Sequence, residues 1–239
     1  MSASPWWMTG VIYQIAVSSF ADSDGDGRGD LRGIIDRLDY LGGAPDSLGV
    51  DAIWLTPVNT SPLRDFGYDV ADYRSIEPRF GTMDDFEELL GACHARGIRV
   101  MMDLVLNHTS DEHPWFQASR SDPNSPYRNY YVWSDTPDKY KEARIICLDS
   151  EKSNWTWDPE AKAYFWHRFF SHQPDLNHNN PKVVQAVLKI MRFWLDMGVD
   201  GLRLDAVPYL CVREGTNNEN LPETLAVLRQ FRKHLDQHY

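Results

Sequence analysis

The chain is poor in cysteine, short of basic residues and without a long apolar run. Its three cysteines, Cys93, Cys147 and Cys211, stand far apart with no C-x-x-C spacing. Three thiols cannot all pair within one chain, so no complete disulfide framework is built from them, and the spacing offers no thiolate zinc site. Lysine and arginine number 24 against 35 acidic residues, a formal net charge of -11. That balance argues against a nucleic-acid or anionic-membrane partner. No apolar stretch approaches the ~20 residues of a membrane span, and the N-terminus shows neither the basic nor the apolar region of a secretory signal. Cytoplasmic residence is the expectation. Low-complexity tracts are missing too. What remains is globular, with 42% apolar and 13% aromatic residues, enough to bury a sizeable core.

Short apolar runs alternate with longer amphipathic ones. Val11–Val17 reads as a strand, then comes a Gly/Asp-rich loop and a helical pattern at Leu31, Ile34, Ile35, Leu38 and Leu41. Asp51–Thr56 is a second strand. Thr82 caps a helix over Met83–Arg96, Gly97 ends it, and Ile98–Leu106 forms a third strand. From about 109 to 178 the rhythm breaks into a segment rich in Trp, Tyr, Pro and Asp, too aromatic to be disordered. Alternation resumes with a helix from Pro181 to Met197, a strand over Asp200–Leu204 and a helix over Pro222–His238. Four β–α units in order predict an α/β fold with a parallel sheet. This is a partial (β/α)8 TIM barrel of about the first four units, with an irregular inserted subdomain after strand 3. The expected division is 1–108 for the first part of the barrel, 109–178 for the insertion and 179–239 for the barrel continued and cut short.

Four segments carry chemistry. In Gly201–Val207 (G-L-R-L-D-A-V), Arg203 and Asp205 lie two positions apart on a strand and so share a side. A guanidinium beside a carboxyl favours its ionised form, which a carboxylate nucleophile needs. In Asp103–His108 (D-L-V-L-N-H), Asp103 and Asn107 share a strand face, and His108 follows at the strand's C-terminal end, where such barrels gather their active sites. Tyr68 beside Asp69 suits a pyranose, whose C–H face stacks on an aromatic while its hydroxyls donate to the acid. Asp22-Ser-Asp24-Gly-Asp26-Gly-Arg28-Gly-Asp30 places carboxylates at alternate positions, as an oxygen cage for a hard cation requires. Its twelfth position is Gly33, so the EF-hand Glu is absent, and an acidic turn capping the first helix through Asp30 is the alternative.

In this order and at these spacings the segments resemble the α-amylase superfamily, glycoside hydrolase family 13, with Gln173–Asn177 (Q-P-D-L-N) as a further matching region. Within it, Glu142–Ile146, Ser153–Pro159, Trp166–Asn177, Arg213–Asn217 and Glu219–Thr224 are most similar to the trehalose synthase (maltose α-D-glucosyltransferase) group. The resemblance implies Asp205 as nucleophile, oriented by Arg203, with Asp103 behind that arginine. Asp69, His108 and Gln173 would bind glucosyl hydroxyls, with Tyr68 under the ring. Asn107, Asp175 and the backbone carbonyls of Tyr209 and Leu210 would ligate calcium. The loop of Asp22, Asp24, Asp26, Arg28 and Asp30 would hold a second divalent ion, calcium or magnesium. No organic cofactor is implied, and maltose or trehalose would be the substrate.

The departures are equally specific. The family's acid/base Glu follows its fifth strand and a third carboxylate its seventh, and neither strand is in this sequence. Where trehalose synthases carry P-Y-L-x-E-R-E-G-T, this chain has Val212, which removes an expected carboxylate ligand; Ser18 stands where relatives often carry a basic residue. Glu214, Glu219 and Glu223 are the local alternatives for the acid. The sequence therefore reads as the N-terminal half of such an enzyme, inactive alone. An α-glucosidase or oligo-1,6-glucosidase and a non-catalytic glucan-binding fragment remain as alternatives.

Overall fold

The computed structural model describes residues 5–239, so the first four residues of the expected first barrel segment lie outside it. The chain divides into two compact units. One comprises residues up to Thr60, Arg74–Leu104 and Arg192–Arg203; the other Ser61–Tyr73, Val105–Met191 and Leu204–Tyr239. The sequence segment 109–178 falls wholly within the second unit.

The framework of the first unit is a parallel sheet of four strands, in the order Ile12–Ile15, Ala52–Leu55, Arg99–Val105 and Gly201–Asp205. Ile12 pairs with Ala52, and Ala52 with Arg99, so neighbouring strands run in register without a bulge. Sequential parallel pairing with intervening helices is the pattern by which an eight-stranded α/β barrel begins. Ile15, Ile53, Leu55 and Val100 are buried, as strands covered on both faces require. The helix over Met83–Ala95 starts at a capping box: Thr82 Oγ1 accepts from Asp85 N at 3.2 Å, and Thr82 N donates to Asp85 Oδ2 at 2.8 Å. Its buried Phe86 meets Trp194 edge to face at 5.3 Å.

Two elements of this unit differ from the sequence reading. The apolar pattern from Leu31 to Leu41 forms two short helices, Leu31–Ile35 and Leu38–Leu41, rather than one. Arg37 N bonds to Ile34 O, an i to i−3 bond that tightens the turn and breaks the period. The first helix begins where Asp30 Oδ1 accepts from Gly33 N at 2.6 Å. Gly33 itself is pressed against the Ala21 carbonyl, with no room for a side chain.

The second unit holds more regular structure than its sequence advertised. Within 109–178 lie a helix over Pro114–Ser121 and an antiparallel sheet in the order Trp133–Ser134, Ala163–Trp166, Trp155–Asp158. Its strands are two to four residues long, too short to print a period of two. Phe116, Tyr131, Phe165, Leu176 and Val183 form one core, and Ala143, Trp155 and Trp166 another, against which Val212 packs. Among the described residues no helix is long and apolar enough to cross a membrane.

Candidate active site

Most of the candidate side chains converge within the second unit, on the segments that follow the sheet strands. The segment after the second strand winds around Asp69. This carboxylate is fully buried: Oδ1 accepts from Ser61 Oγ at 3.0 Å and Asp65 N at 3.1 Å, and Oδ2 from Arg64 N at 3.0 Å. Two of these donors are backbone amides, so Asp69 organises its own loop. The Asp65 carboxyl, half-buried, accepts from Gln173 Nε2 at 2.8 Å across 108 positions of sequence. Burial raises its pKa, the Gln173 hydrogen bond lowers it, and the charges of Asp69 and Asp205 raise it further. Neighbouring carboxylates cannot all be ionised without penalty.

His108 lies beyond the third strand and is buried. Nε2 faces the Tyr68 carbonyl at 3.1 Å, and Nδ1 faces Asn107 Nδ2 at 3.3 Å. A carbonyl accepts and an amide nitrogen donates, which assigns a neutral imidazole with its proton on Nε2. Burial pushes its pKa down to about 4, although the Asp205 and Asp69 carboxylates pull the other way. His108 thus links the Tyr68 backbone to Asn107, with the Phe169 ring 5.3 Å away.

Asp205 ends the fourth strand, and Ala206 immediately after it has φ 52°. A non-glycine residue in the left-handed region marks a forced reversal. It turns the chain at the strand's end and starts the turn Val207–Tyr209. In the first unit, Arg203 Nη1 donates to both oxygens of buried Asp103, at 3.1 and 3.3 Å, and its guanidinium lies 5.0 Å over the Trp54 ring. Trp54 Nε1 donates to the same carboxylate at 3.3 Å. Trp54 was not among the residues singled out from sequence, nor were Asp65 and Phe169.

Two places offer oxygen to a cation. An antiparallel bridge joins His108 to Asp175 and brings Asn107 Nδ2 to Asp175 Oδ1 at 3.1 Å; Arg168 N also donates to Oδ1, at 3.2 Å. Asn107 Oδ1 and Asp175 Oδ2 are buried with no hydrogen-bond partner. Burial pushes the Asp175 carboxyl up to about 8, and the nearby Trp166 indole favours its ionised form without closing a hydrogen bond. Two orphaned buried oxygens on side chains that are hydrogen-bonded to each other suit a hard cation. Tyr209 and Leu210 follow in the turn after Asp205, with the Tyr209 ring 4.9 Å from the buried Arg168 guanidinium. Val212 is turned into the Trp155–Trp166 cluster.

The second place is the loop after the first strand, where one carboxylate oxygen each from Asp22, Asp24 and Asp30 lie within 4.8 Å of one another. Asp22 accepts from the amides of Asp24, Gly25 and Gly27, which hold its carboxyl below the usual range. Asp26 lies outside that trio and accepts from Arg28 N at 2.8 Å. The loop turns at Gly25 and Gly27, both with positive φ.

The three local alternatives for a proton donor are engaged elsewhere in the second unit. Glu219 accepts from Arg144 at 2.8 Å and Arg168 at 2.9 Å, Glu223 from Arg213 at 2.7 Å, and Glu214 from the Tyr140 amide at 3.2 Å.

Residues 14–239 match the α-amylase catalytic domain family. The trehalose synthase/amylase of Mycolicibacterium smegmatis is 58% identical over 98% of this chain and 39% of that protein. The oligo-1,6-glucosidase of Parageobacillus thermoglucosidasius is 51% identical over 84% of this chain and 35% of its own length. Among solved structures, the trehalulose synthase MutB of Pseudomonas mesoacidophila MX-45 superposes with a TM-score of 0.90 at 38% identity, over 99% of this chain and 44% of that one. MutB has also been solved with its substrate sucrose. The chain spans about two fifths of the length of the trehalose synthase it matches.

Proposed function

The chain belongs to the α-amylase catalytic-domain family, and from that membership we propose that it forms the nucleophile-bearing half of an enzyme interconverting maltose and trehalose. What supports the reading is the meeting of Asp205, His108, Asp69 and the Asp65–Gln173 pair in one unit, on residues that match this group at 58% identity.

In the proposed reaction the Asp205 carboxylate attacks the anomeric carbon of the non-reducing glucosyl unit. The bond from that carbon to the O4 of the second glucose breaks, and the oxygen takes a proton from a second carboxyl. Retaining chemistry needs the two carboxyls ~5–5.5 Å apart. With Glu214, Glu219 and Glu223 tied into ion pairs or a backbone hydrogen bond, that acid comes from outside residues 1–239. The freed glucose then attacks the glucosyl–Asp205 ester through its anomeric oxygen, returning its proton to the same carboxyl. Two inversions retain configuration. Asp69, His108 and Gln173 grip the glucosyl hydroxyls, Tyr68 stacks beneath the ring, and Asp103 steadies Arg203. The aromatic 109–178 segment, reaching His108 through Phe169, keeps out the water that would otherwise hydrolyse the ester.

A divalent cation, calcium by family habit, would be held by Asn107, Asp175 and the Tyr209 and Leu210 carbonyls, where it neutralises a buried carboxylate. A second ion would sit on Asp22, Asp24 and Asp30. Three free thiols suit a reducing, cytoplasmic compartment.

Fusion of residues 1–239 to the C-terminal part of a trehalose synthase tests the reading. The fusion should turn maltose into trehalose with little glucose released, while residues 1–239 alone turn over neither sugar. Asp205→Asn should abolish the activity, and a fluoroglycoside should label Asp205. A fusion releasing only glucose would favour the α-glucosidase reading, which the 51% identity to an oligo-1,6-glucosidase keeps in view. A label on another residue would remove Asp205 as nucleophile.

A further inference from the structure

Phe66 is in an unfavourable place twice over. Tyr68 N donates to the Asp65 carbonyl at 2.8 Å, closing a four-residue turn with Phe66 and Gly67 at its centre. Both central residues have positive φ, 51° and 99°. This is the pattern of a type I′ turn, which selects Asn, Asp or Gly at its first central position and disfavours a bulky side chain. The ring also gains little from burial, for Phe66 is 84% exposed, the most exposed large apolar side chain among the described residues. A lone exposed aromatic is ordinary, but one held at a positive φ in a turn that disfavours it points to a use outside the fold.

Its neighbours say what that use is. Asp65, on one side, takes the hydrogen bond of Gln173 and feels the charge of Asp205. On the other side are Gly67 and Tyr68, whose carbonyl faces His108. The groups that would hold the glucosyl unit, Asp69, His108 and Gln173, are all buried, so they form the closed end of the site. Phe66 projects from the same loop on its solvent side. A disaccharide whose first ring is gripped by buried polar groups directs its second ring outward.

We propose that Phe66 is the stacking platform for that second sugar ring, the glucose that leaves and returns, and so a specificity-determining residue of the aglycone side. The proposal rests on the reading that Asp69, His108 and Gln173 take the first ring. An exposed aromatic face offers the C–H surface of a pyranose the same kind of contact that Tyr68 offers within the pocket.

The test uses the chain with Phe66→Gly and Phe66→Asn, two residues the turn prefers. Thermal melting and titration with glucose and with maltose are read together. The expected result is opposite signs: both variants melt higher than wild type, glucose affinity stays the same, and maltose affinity falls at least threefold. Phe66→Trp should restore the maltose preference. A lower melting temperature in both variants would mean the ring is packed by the protein, and an unchanged ratio of maltose to glucose affinity would mean it touches no second ring. Either overturns the proposal. Gln173→Ala separates this from the parent reading: if glucose binding survives it unchanged, the first-ring assignment fails whatever Phe66 does. Binding of neither sugar by the wild-type chain would overturn both.

Discussion

The Asn107–Asp175 pair and the Asp22–Asp30 loop are both offered as cation sites by the same sequence reading, yet they are physically opposite. In the loop every carboxylate is exposed or at a helix start, and backbone amides already answer its oxygens. In the pair two oxygens are buried and answered by nothing. A cation in the loop would add to a turn that is already made. At the pair it would supply the charge and coordination that burial has removed; without it burial drives the Asp175 carboxyl up to about 8, so that a proton neutralises it instead. The lesson is that a run of acidic residues is the weaker evidence for a metal. An orphaned buried oxygen is the stronger.

The largest effect that would break this contrast lies at Asp175. Asp175→Ala removes the acceptor of Asn107 Nδ2 and of Arg168 N. Stranding two buried donors should cost on the order of 4 kcal/mol, read by urea denaturation. Asp175→Asn keeps an acceptor at Oδ1 and supplies a donor where Oδ2 stood. In chelator at pH 8 it should be at least as stable as wild type, and in calcium it should gain nothing. Were Asp175→Asn to lose stability in chelator and still respond to calcium, the pair would not be the cation site.

A pH series sharpens the buried half of the comparison through groups outside any ligand set. Burial pushes His113 and His178 each down to about 4, against the Asp72 charge beside His113 and the Leu106 carbonyl 2.7 Å from His178; His113 Nδ1 also accepts from Trp115 N at 3.0 Å. Their folded values lie below the unfolded value of ~6.5. The unfolded chain therefore takes up protons first as pH falls. Stability from this source is complete above pH 6.5 and is lost through the window down to about 4. Together the two should remove on the order of 4 kcal/mol by pH 5, and about half that in His178→Phe. A change in stability between pH 7 and 5 that is the same in wild type and in His178→Phe would contradict the burial of the His178 ring.

The same contrast explains which parts of the molecule were legible in sequence. The helices at Met83, Pro181 and Pro222 announced themselves through apolar period and through Thr82 or an N-terminal proline, because local chemistry sets both the pattern and the ends. The four strands were legible as short apolar runs, offset by one or two residues. The antiparallel sheet within 109–178 was not, because Trp133–Ser134 and Trp155–Asp158 are too short to alternate visibly and their aromatics serve two cores. Asp205, His108 and Gln173 were marked by the segments around them. Asp65 was not, since its link to Gln173 spans 108 positions and leaves no local trace. Trp54 likewise reads as an ordinary strand residue until Arg203 is seen lying over it.

The smallest effects belong to the exposed loop, where two substitutions separate a cation from a cap. Asp30 does two jobs: Oδ1 accepts from Gly33 N at the start of the Leu31–Ile35 helix, and Oδ2 accepts from Ser23 N at 2.9 Å. Asp30→Ala should therefore cost about 1 kcal/mol in chelator, the ordinary penalty for a lost N-cap, and more than that in calcium if Asp30 also holds the ion. Asp24 caps nothing and accepts only from Asp26 N within the turn, at 3.0 Å. If Asp22, Asp24 and Asp30 hold an ion, Asp24→Ala should lower the melting temperature by a few degrees in calcium and leave it unchanged in chelator, because a ligand that binds only the folded state stabilises only when present. The doubly substituted Asp24→Ala, Asp26→Ala chain should behave as Asp24→Ala does, since Asp26 stands apart from the converging oxygens. An Asp24→Ala chain equally destabilised in chelator would make the loop a turn held by its own amides. Of the two places, the buried pair would then be the one candidate cation site left among the described residues, and the contrast between them would become absolute.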